Sequence, residues 1–290
     1  MSTPARLWVQ GARPKTLGVA VSCVLVGTAV GARSGPVSWP RAAAALAVAL
    51  ALQVGVNYAN DYSDGVRGTD TARRGPVRLT ATGLATPGAV RTAATVSIAV
   101  AAVAGGVLSL VVDPWLLLLG GAAIVAAVTY TGGPRPYGYA GFGEVAVLAC
   151  FGFAGTVGSA YVQHRTVPGV AWPAALAVGL PACAILLANN VRDVETDRLA
   201  GKRTLAVRIG ASRARALFTA CFAGALAAVV VCGLPAPGAL VGLAAAPLAV
   251  GPSRLVRTRT DAPGLVAALV GTVRFQLVLA AALALGLWSF

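Results

Sequence analysis

Polar positions are scarce along this chain, and they come in clusters. Between the clusters run apolar stretches of about 20 residues, the length that crosses a bilayer as a helix. Nine can be marked: 16–34, 42–60, 89–112, 115–131, 142–162, 172–190, 214–233, 237–251 and 265–288. The eighth is short and carries Pro247. The pattern predicts an all-α fold, a polytopic membrane helical bundle of about nine transmembrane helices, with 1–290 as a single domain and no room for a soluble one. The basic start (Arg6, Arg13, Lys15) reads as the anchor of the first span, not as a cleaved signal.

Composition agrees. Charged residues make up 11% of the 290 and hydrophobic ones 57%, with mean hydropathy +0.78; a soluble domain carries about 25% charged residues. Basic side chains set the orientation. With nine spans and the N-terminus inside, the inner segments hold Arg6, Arg13, Lys15, Arg67, Arg73, Arg74, Arg78, Arg91, Arg135, the basic run from Arg192 to Arg215, and Arg254, Arg257 and Arg259. The outer side keeps Arg33, Arg41 and Arg165. The N-terminus and the two large basic loops are therefore expected in the cytoplasm. Topology and contact with anionic lipid account for the net charge of +14, and no nucleic-acid partner is implied. The five cysteines lie in apolar stretches without close pairing, and His164 is the only histidine, which excludes histidine-based metal sites.

Six of the nine acids fall in two segments, "NYANDYSDGVRGTD" (57–70) and "NNVRDVETDRLAGKRT" (189–204), which end the second and sixth spans on the same predicted side. Residues three or four apart share a helix face. Asn57, Asp61 and Asp64 therefore form one column, and Asn189, Asp193 and Asp197 another. Polar residues at one span end can simply mark the membrane boundary. Two clusters with matching Asn and Asp spacing argue instead for oxygen ligands to a hard divalent cation, above all Mg²⁺, which completes its shell with water and substrate phosphates. Arg198, Lys202 and Arg203 follow the second cluster, and Arg67, Arg73, Arg74 and Arg78 the first. These are phosphate-binding groups beside a metal site, some of them also anchors. A diphosphate head held at the rim of an apolar bundle describes a polyprenyl diphosphate. Mg²⁺ would assist departure of the diphosphate, and the allylic cation left behind would need a nucleophile and a dry pocket.

These segments, with "ARPKTL" (12–17), "GPVRLTATGL" (75–84) and "YTGGPRPYGYAGFGE" (130–144), are where the chain resembles the UbiA superfamily of intramembrane aromatic prenyltransferases. Within it, the chain is similar to the branch that prenylates 1,4-dihydroxy-2-naphthoate in menaquinone synthesis. The resemblance implies helices around a central cavity open sideways to lipid, polar loops capping the site, and a bacterial cytoplasmic membrane. It also implies two Mg²⁺ ions, and loss of the acceptor carboxyl as CO₂ to give demethylmenaquinol. Many members carry a third acid four residues after the second Asp of the first motif; here that position is Gly68, and Asp70 follows.

On this reading Asp61, Asp64, Asp193 and Asp197 bind the metals, assisted by Asn57, Asn60 and Asn189. Lys202, Arg203 and Arg67 hold the diphosphate. The Gly- and Pro-rich segment after the fourth span breaks the helix. There Tyr137 and Tyr139 would stack on the acceptor ring, and Glu144 would accept a ring hydroxyl or act as base, or else merely cap the next helix. Arg13 and Lys15 either anchor the first span or pair with the acceptor carboxylate. Arg274, inside the last span, either snorkels or pairs with an acid. Two rivals are another acceptor, such as 4-hydroxybenzoate, and a secondary transporter, whose charges would sit nearer the bilayer midplane.

Overall fold

The computed structural model describes residues 3–69 and 77–289. Asp70, Arg73 and Arg74 lie outside the described residues. Among those described there is no strand. The elements are α1 (Ala5–Ala12), α2 (Gly18–Gly31), α3 (Trp39–Val66), α4 (Pro87–Val111) and α5 (Leu116–Thr129). They continue with α6 (Gly143–His164), α7 (Ala171–Leu199), α8 (Leu205–Ile209), α9 (Ala211–Gly233), α10 (Pro237–Thr258) and α11 (Ala262–Ser289).

Each of the nine apolar stretches falls on one of these helices, but the count of nine spans is not reproduced. Among the described residues, seven helices are long and apolar enough to cross a membrane, and α1 with α2, bent by 49°, makes an eighth if taken as one span. The fourth stretch gives α5, of 14 residues, which reaches only about 21 Å at 1.5 Å per residue. The eighth is present as α10, which begins as a 3₁₀ segment, Pro237–Ala249, with Pro247 inside it.

α7 is the central post: most of its apolar face is fully buried. Small residues let neighbours approach it, as is usual where apolar lipid gives helices no hydrophobic drive to associate. A Cβ on Gly179 would stand 2.7 Å from the Cα of Gly152 on α6. Within α6 the stretch Leu148–Gly155 widens into a π-helical turn beside that crossing. All five cysteines are free thiols, as the sequence suggests.

The α1–α2 break is held by α3. Arg13 takes a left-handed backbone, φ 57°, and the carbonyls released there are recaptured by side chains. Asn57 Nδ2 donates to the Ala12 carbonyl at 2.8 Å, Gln53 Nε2 to that of Thr16 at 2.7 Å, and the Tyr58 hydroxyl to that of Trp8 at 2.7 Å. The bend turns the Arg13 side chain into the central cavity. At the opposite end, Asp113 accepts from the Tyr161 hydroxyl at 2.8 Å and from Arg165 at 2.7 Å, tying the α4–α5 turn to the end of α6. That pair is largely exposed on the Arg165 side. Asp113→Asn is therefore expected to leave the thermal melting midpoint close to that of the wild type.

Candidate active site

The two acid-bearing helices stop in the same way. After α3, the Thr69 amide donates to the Asp64 carbonyl at 3.1 Å and the Gly68 amide to that of Gly65 at 3.2 Å. After α7, the Lys202 amide donates to the Asp197 carbonyl at 2.8 Å and the Gly201 amide to that of Arg198 at 3.1 Å. Both are six-to-one, five-to-two helix caps, which need a left-handed residue at the turn. Gly68 (φ 70°) and Gly201 (φ 73°) supply it. In each case glycine stands four residues after the last Asp of its motif. The position where many relatives carry a third acid is thus a helix stop in this chain. The second cap reverses the chain and carries Lys202 back over the site.

The columns do meet. Lys202 Nζ lies 3.2 Å from Asp64 Oδ1, and an Arg78 guanidinium nitrogen 3.6 Å from Asp64 Oδ2, all three side chains under one-tenth exposed. The Tyr139 hydroxyl donates to Asp64. Lys202 Nζ sits 4.8 Å above the Tyr139 ring, and the Arg203 amide donates to the Tyr139 carbonyl at 2.8 Å. The α5–α6 loop is therefore stitched to both columns. Gly141 makes this close fit possible: a Cβ there would stand 3.1 Å from the Arg203 carbonyl. Burial, then the neighbouring Asp64 charge, pushes the Tyr139 hydroxyl up to about 12. It stays a proton donor at physiological pH.

Arg13, Asn57, Asn60, Asp64, Arg78, Tyr137, Tyr139, Asn189, Asn190, Asp193, Asp197 and Lys202 all line one cavity of about 380 Å³. Most of its remaining wall is apolar, from Val19, Val24, Val48, Leu52, Leu108, Leu116, Leu119, Val147 and Phe151 among others.

Four expectations need correction. Asp61 does not line the cavity. It is 1% exposed, and its two oxygens accept the backbone amides of Leu79 (2.8 Å) and Thr80 (2.9 Å). Asp61 folds the 77–85 loop over the site, and the face of α3 that meets the cavity is Asn57, Asn60 and Asp64. Arg67 gives its guanidinium to the carbonyls of Thr131 and Gly133 and lies off the cavity. Arg203 is exposed; its backbone, not its side chain, serves the site. Glu144 stands behind the wall: it is 7% exposed and accepts from Asn190 Nδ2 at 2.8 Å. Lys15 is also exposed and away from the cavity, and Arg274 is exposed on α11 with no acid beside it among the described residues.

The Asp61 geometry makes a prediction. Each oxygen faces an N–H, so Asp61→Asn sets an amide donor against one of them. Leaving a buried donor unsatisfied costs about 1–3 kcal/mol. Asp61→Asn is expected to lower the melting temperature and to expose the 77–85 loop to protease. An unchanged cleavage pattern would contradict the anchoring role.

Sequence reasoning passed over two residues. Arg192 grips Asp193 with both arms, Nε to Oδ1 and an NH2 to Oδ2, each 2.7 Å, with its side chain 2% exposed. Asn190 lines the cavity beside Asn189. Neither stood out, because adjacent residues on a helix do not share a face.

The donor set fits a hard dication. Asn57 Nδ2 is spent on the Ala12 carbonyl and Asn189 Nδ2 on that of Ile185, at 3.3 Å. Both amide oxygens are then left to accept, one in each column, beside carboxylates of Asp64, Asp193 and Asp197. Asn60 differs, since its Oδ1 already accepts from the Thr131 hydroxyl at 2.7 Å. Among the described residues no three His, Cys, Asp or Glu side chains converge closely enough to cage a metal. Mg²⁺ takes one or two carboxylates and fills the rest of its shell with water and phosphate oxygens.

A cation-lined oxygen site at the mouth of an apolar cavity, inside a multi-pass helical bundle, defines an intramembrane enzyme. The chain belongs to the UbiA prenyltransferase family, whose model matches residues 20–275. It is 48% identical over 277 residues to a 1,4-dihydroxy-2-naphthoate octaprenyltransferase of Mycobacterium tuberculosis, covering 96% of this chain and 95% of that one. The Escherichia coli protein of that name is 38% identical over 282 residues, covering 93% and 91%. Among solved structures, a UbiA homolog from Aeropyrum pernix superposes with TM-score 0.73 at 17% identity, covering 94% of this chain and 98% of that one. A UbiA homolog from Archaeoglobus fulgidus, bound to DMAPP and Mg²⁺, superposes with TM-score 0.63 at 17% identity, covering 95% and 98%. These two likenesses show the fold.

Proposed function

We propose that this protein transfers a polyprenyl chain from its diphosphate to 1,4-dihydroxy-2-naphthoate, with loss of CO₂, in menaquinone biosynthesis. The observation that carries the reading is the pairing of Asp64 with Lys202 and Arg78 in the lining of an apolar cavity that Asp193 and Asp197 also line. The naphthoate prenyltransferases that the chain resembles over more than nine-tenths of its length supply the acceptor.

Asp64, Asp193, Asp197, Asn57 and Asn189 would hold two Mg²⁺. When bound, those ions would supply the positive charge that neutralises the departing diphosphate. Lys202 and Arg78, which flank Asp64, would bind phosphate oxygens together with the Asn60 amide. Arg192, forked onto Asp193, fixes that carboxylate's orientation. The apolar wall takes the prenyl tail and keeps water from the allylic cation. Arg13 would pair with the acceptor carboxylate, a reading supported by its place in the cavity lining.

The electron count decides what else is needed. The allylic C–O bond breaks, and its electron pair leaves on the diphosphate. The ring carbon bearing the carboxylate forms the new C–C bond. The bond to the carboxylate then breaks, its pair returns to the ring, and CO₂ departs. No proton leaves carbon, so the site needs no base for that step. The placement of basic residues supports a cytoplasmic N-terminus and cytoplasmic site loops.

Calorimetry with a non-ionisable prenyl diphosphate analogue tests the diphosphate half. Binding is expected with Mg²⁺ and to weaken at least about tenfold when EDTA removes it. Binding indifferent to EDTA would contradict the metal assignment.

A further inference from the structure

Glu144 and Asn190 form a buried pair that the chemistry above leaves without a task. Glu144 Oε1 accepts from Asn190 Nδ2 at 2.8 Å, while Glu144 Oε2 is buried with no hydrogen-bond partner. The Glu144 carbonyl accepts from the Cys183 thiol at 3.3 Å, which fixes this turn of α6 against α7. Glu144 itself does not reach the cavity; Asn190 does.

A carboxylate can only accept from an amide NH₂, so the pair fixes which way the Asn190 amide points. Its nitrogen is committed to Glu144. Its Oδ1 accepts no hydrogen bond among the described residues and belongs to the one side chain of the pair that lines the cavity. Tyr130, Tyr137 and Asn189 line the same cavity, and Tyr137 is held in place by its own hydroxyl, which donates to the Ala126 carbonyl at 2.8 Å. An amide oxygen held by a buried acid behind it, among aromatic rings, is an acceptor set for a donor on a flat aromatic molecule.

We propose that Asn190 is a specificity-determining residue, its Oδ1 taking the hydrogen bond of one ring hydroxyl of the aromatic acceptor, and that Glu144 is a positioning residue that locks this orientation. The inference rests on the acceptor reading above and deepens it. It reassigns Glu144: with CO₂ and not a ring proton leaving, the buried acid is free to orient. A site built around such a hydrogen bond rejects analogues that lack the hydroxyl, because the buried oxygen is then left unpaired.

The experiment uses the full chain in nanodiscs, with steady-state kinetics and inhibition constants for naphthoates that lack one or the other hydroxyl. In the wild type, one deoxy analogue is expected to bind about tenfold or more weaker than 1,4-dihydroxy-2-naphthoate. In Asn190→Leu that difference collapses to about twofold, acceptor KM rises about tenfold or more, and prenyl diphosphate KM stays within about threefold. Glu144→Gln lets the amide turn over, since glutamine donates as well as accepts, and is expected to raise acceptor KM in the same selective way. Asn190→Leu keeping the wild-type discrimination, or raising both KM values alike, overturns the assignment of Asn190. An acceptor KM unchanged in Glu144→Gln overturns the positioning role. A wild type that binds no naphthoate at all overturns the acceptor reading beneath both.

Discussion

Asp64→Asn is expected to lose at least about a hundredfold in prenyl transfer. Removing a group that merely supports a metal ligand costs 10–100-fold, and Asp64 does more than support. It is the residue at which both halves of the site join, taking Lys202, Arg78 and the Tyr139 hydroxyl on two oxygens. Asparagine keeps the shape and an acceptor for Tyr139 but removes the charge. Two buried cations then lose the charged partner they share, a loss of up to about 3–5 kcal/mol in a sealed interior, less here because both face the cavity. Melting temperature should therefore fall while the protein still elutes as a folded species. Activity measured on that species is the deciding value, and full turnover would remove Asp64 from the metal site. By contrast, Asp61→Asn acts through its loop and responds chiefly as a stability and proteolysis defect.

Lys202→Ala is expected to raise prenyl diphosphate KM about 30-fold or more, the lower end of the 2–5 kcal/mol lost when one partner of a desolvated charge pair is truncated. Arg203→Ala, one position along, should stay within about threefold, because an exposed cation contributes little. Two adjacent basic residues with opposite outcomes follow from the helix cap at Gly201, which points Lys202 inward. Acceptor KM should change little in either variant. Equal losses in both would mean that the loop adopts another path when substrate binds.

Much of this was legible in the sequence. Apolar runs gave the helices because only a helix satisfies its own backbone in lipid. The paired acid segments gave the site because ionisable groups are expensive at membrane depth and are retained for function. What periodicity could not resolve was which of two neighbouring side chains faces inward. Asn60 and Asp61 both lie within reach of the α3 face that meets the cavity. The amides of Leu79 and Thr80, 18 and 19 residues away, decide that Asp61 turns to the loop. Arg67 and Arg203 were misplaced for a related reason. Each stands beside a helix stop, where a single left-handed glycine redirects the chain and charge alone carries no direction. Glu144 looked like a cavity residue because its loop is one; its partner, Asn190, lay hidden in an Asn–Asn pair whose first member fitted the column.

The most direct test of the central claim is product mass spectrometry. Purified protein would receive a polyprenyl diphosphate with equimolar 1,4-dihydroxy-2-naphthoate and 4-hydroxybenzoate, with and without Mg²⁺. A prenylated naphthoquinol lacking the carboxyl, formed only with Mg²⁺, is the predicted product. Prenylated hydroxybenzoate as the main product, or a prenylated naphthoate that keeps its carboxyl, would contradict the account.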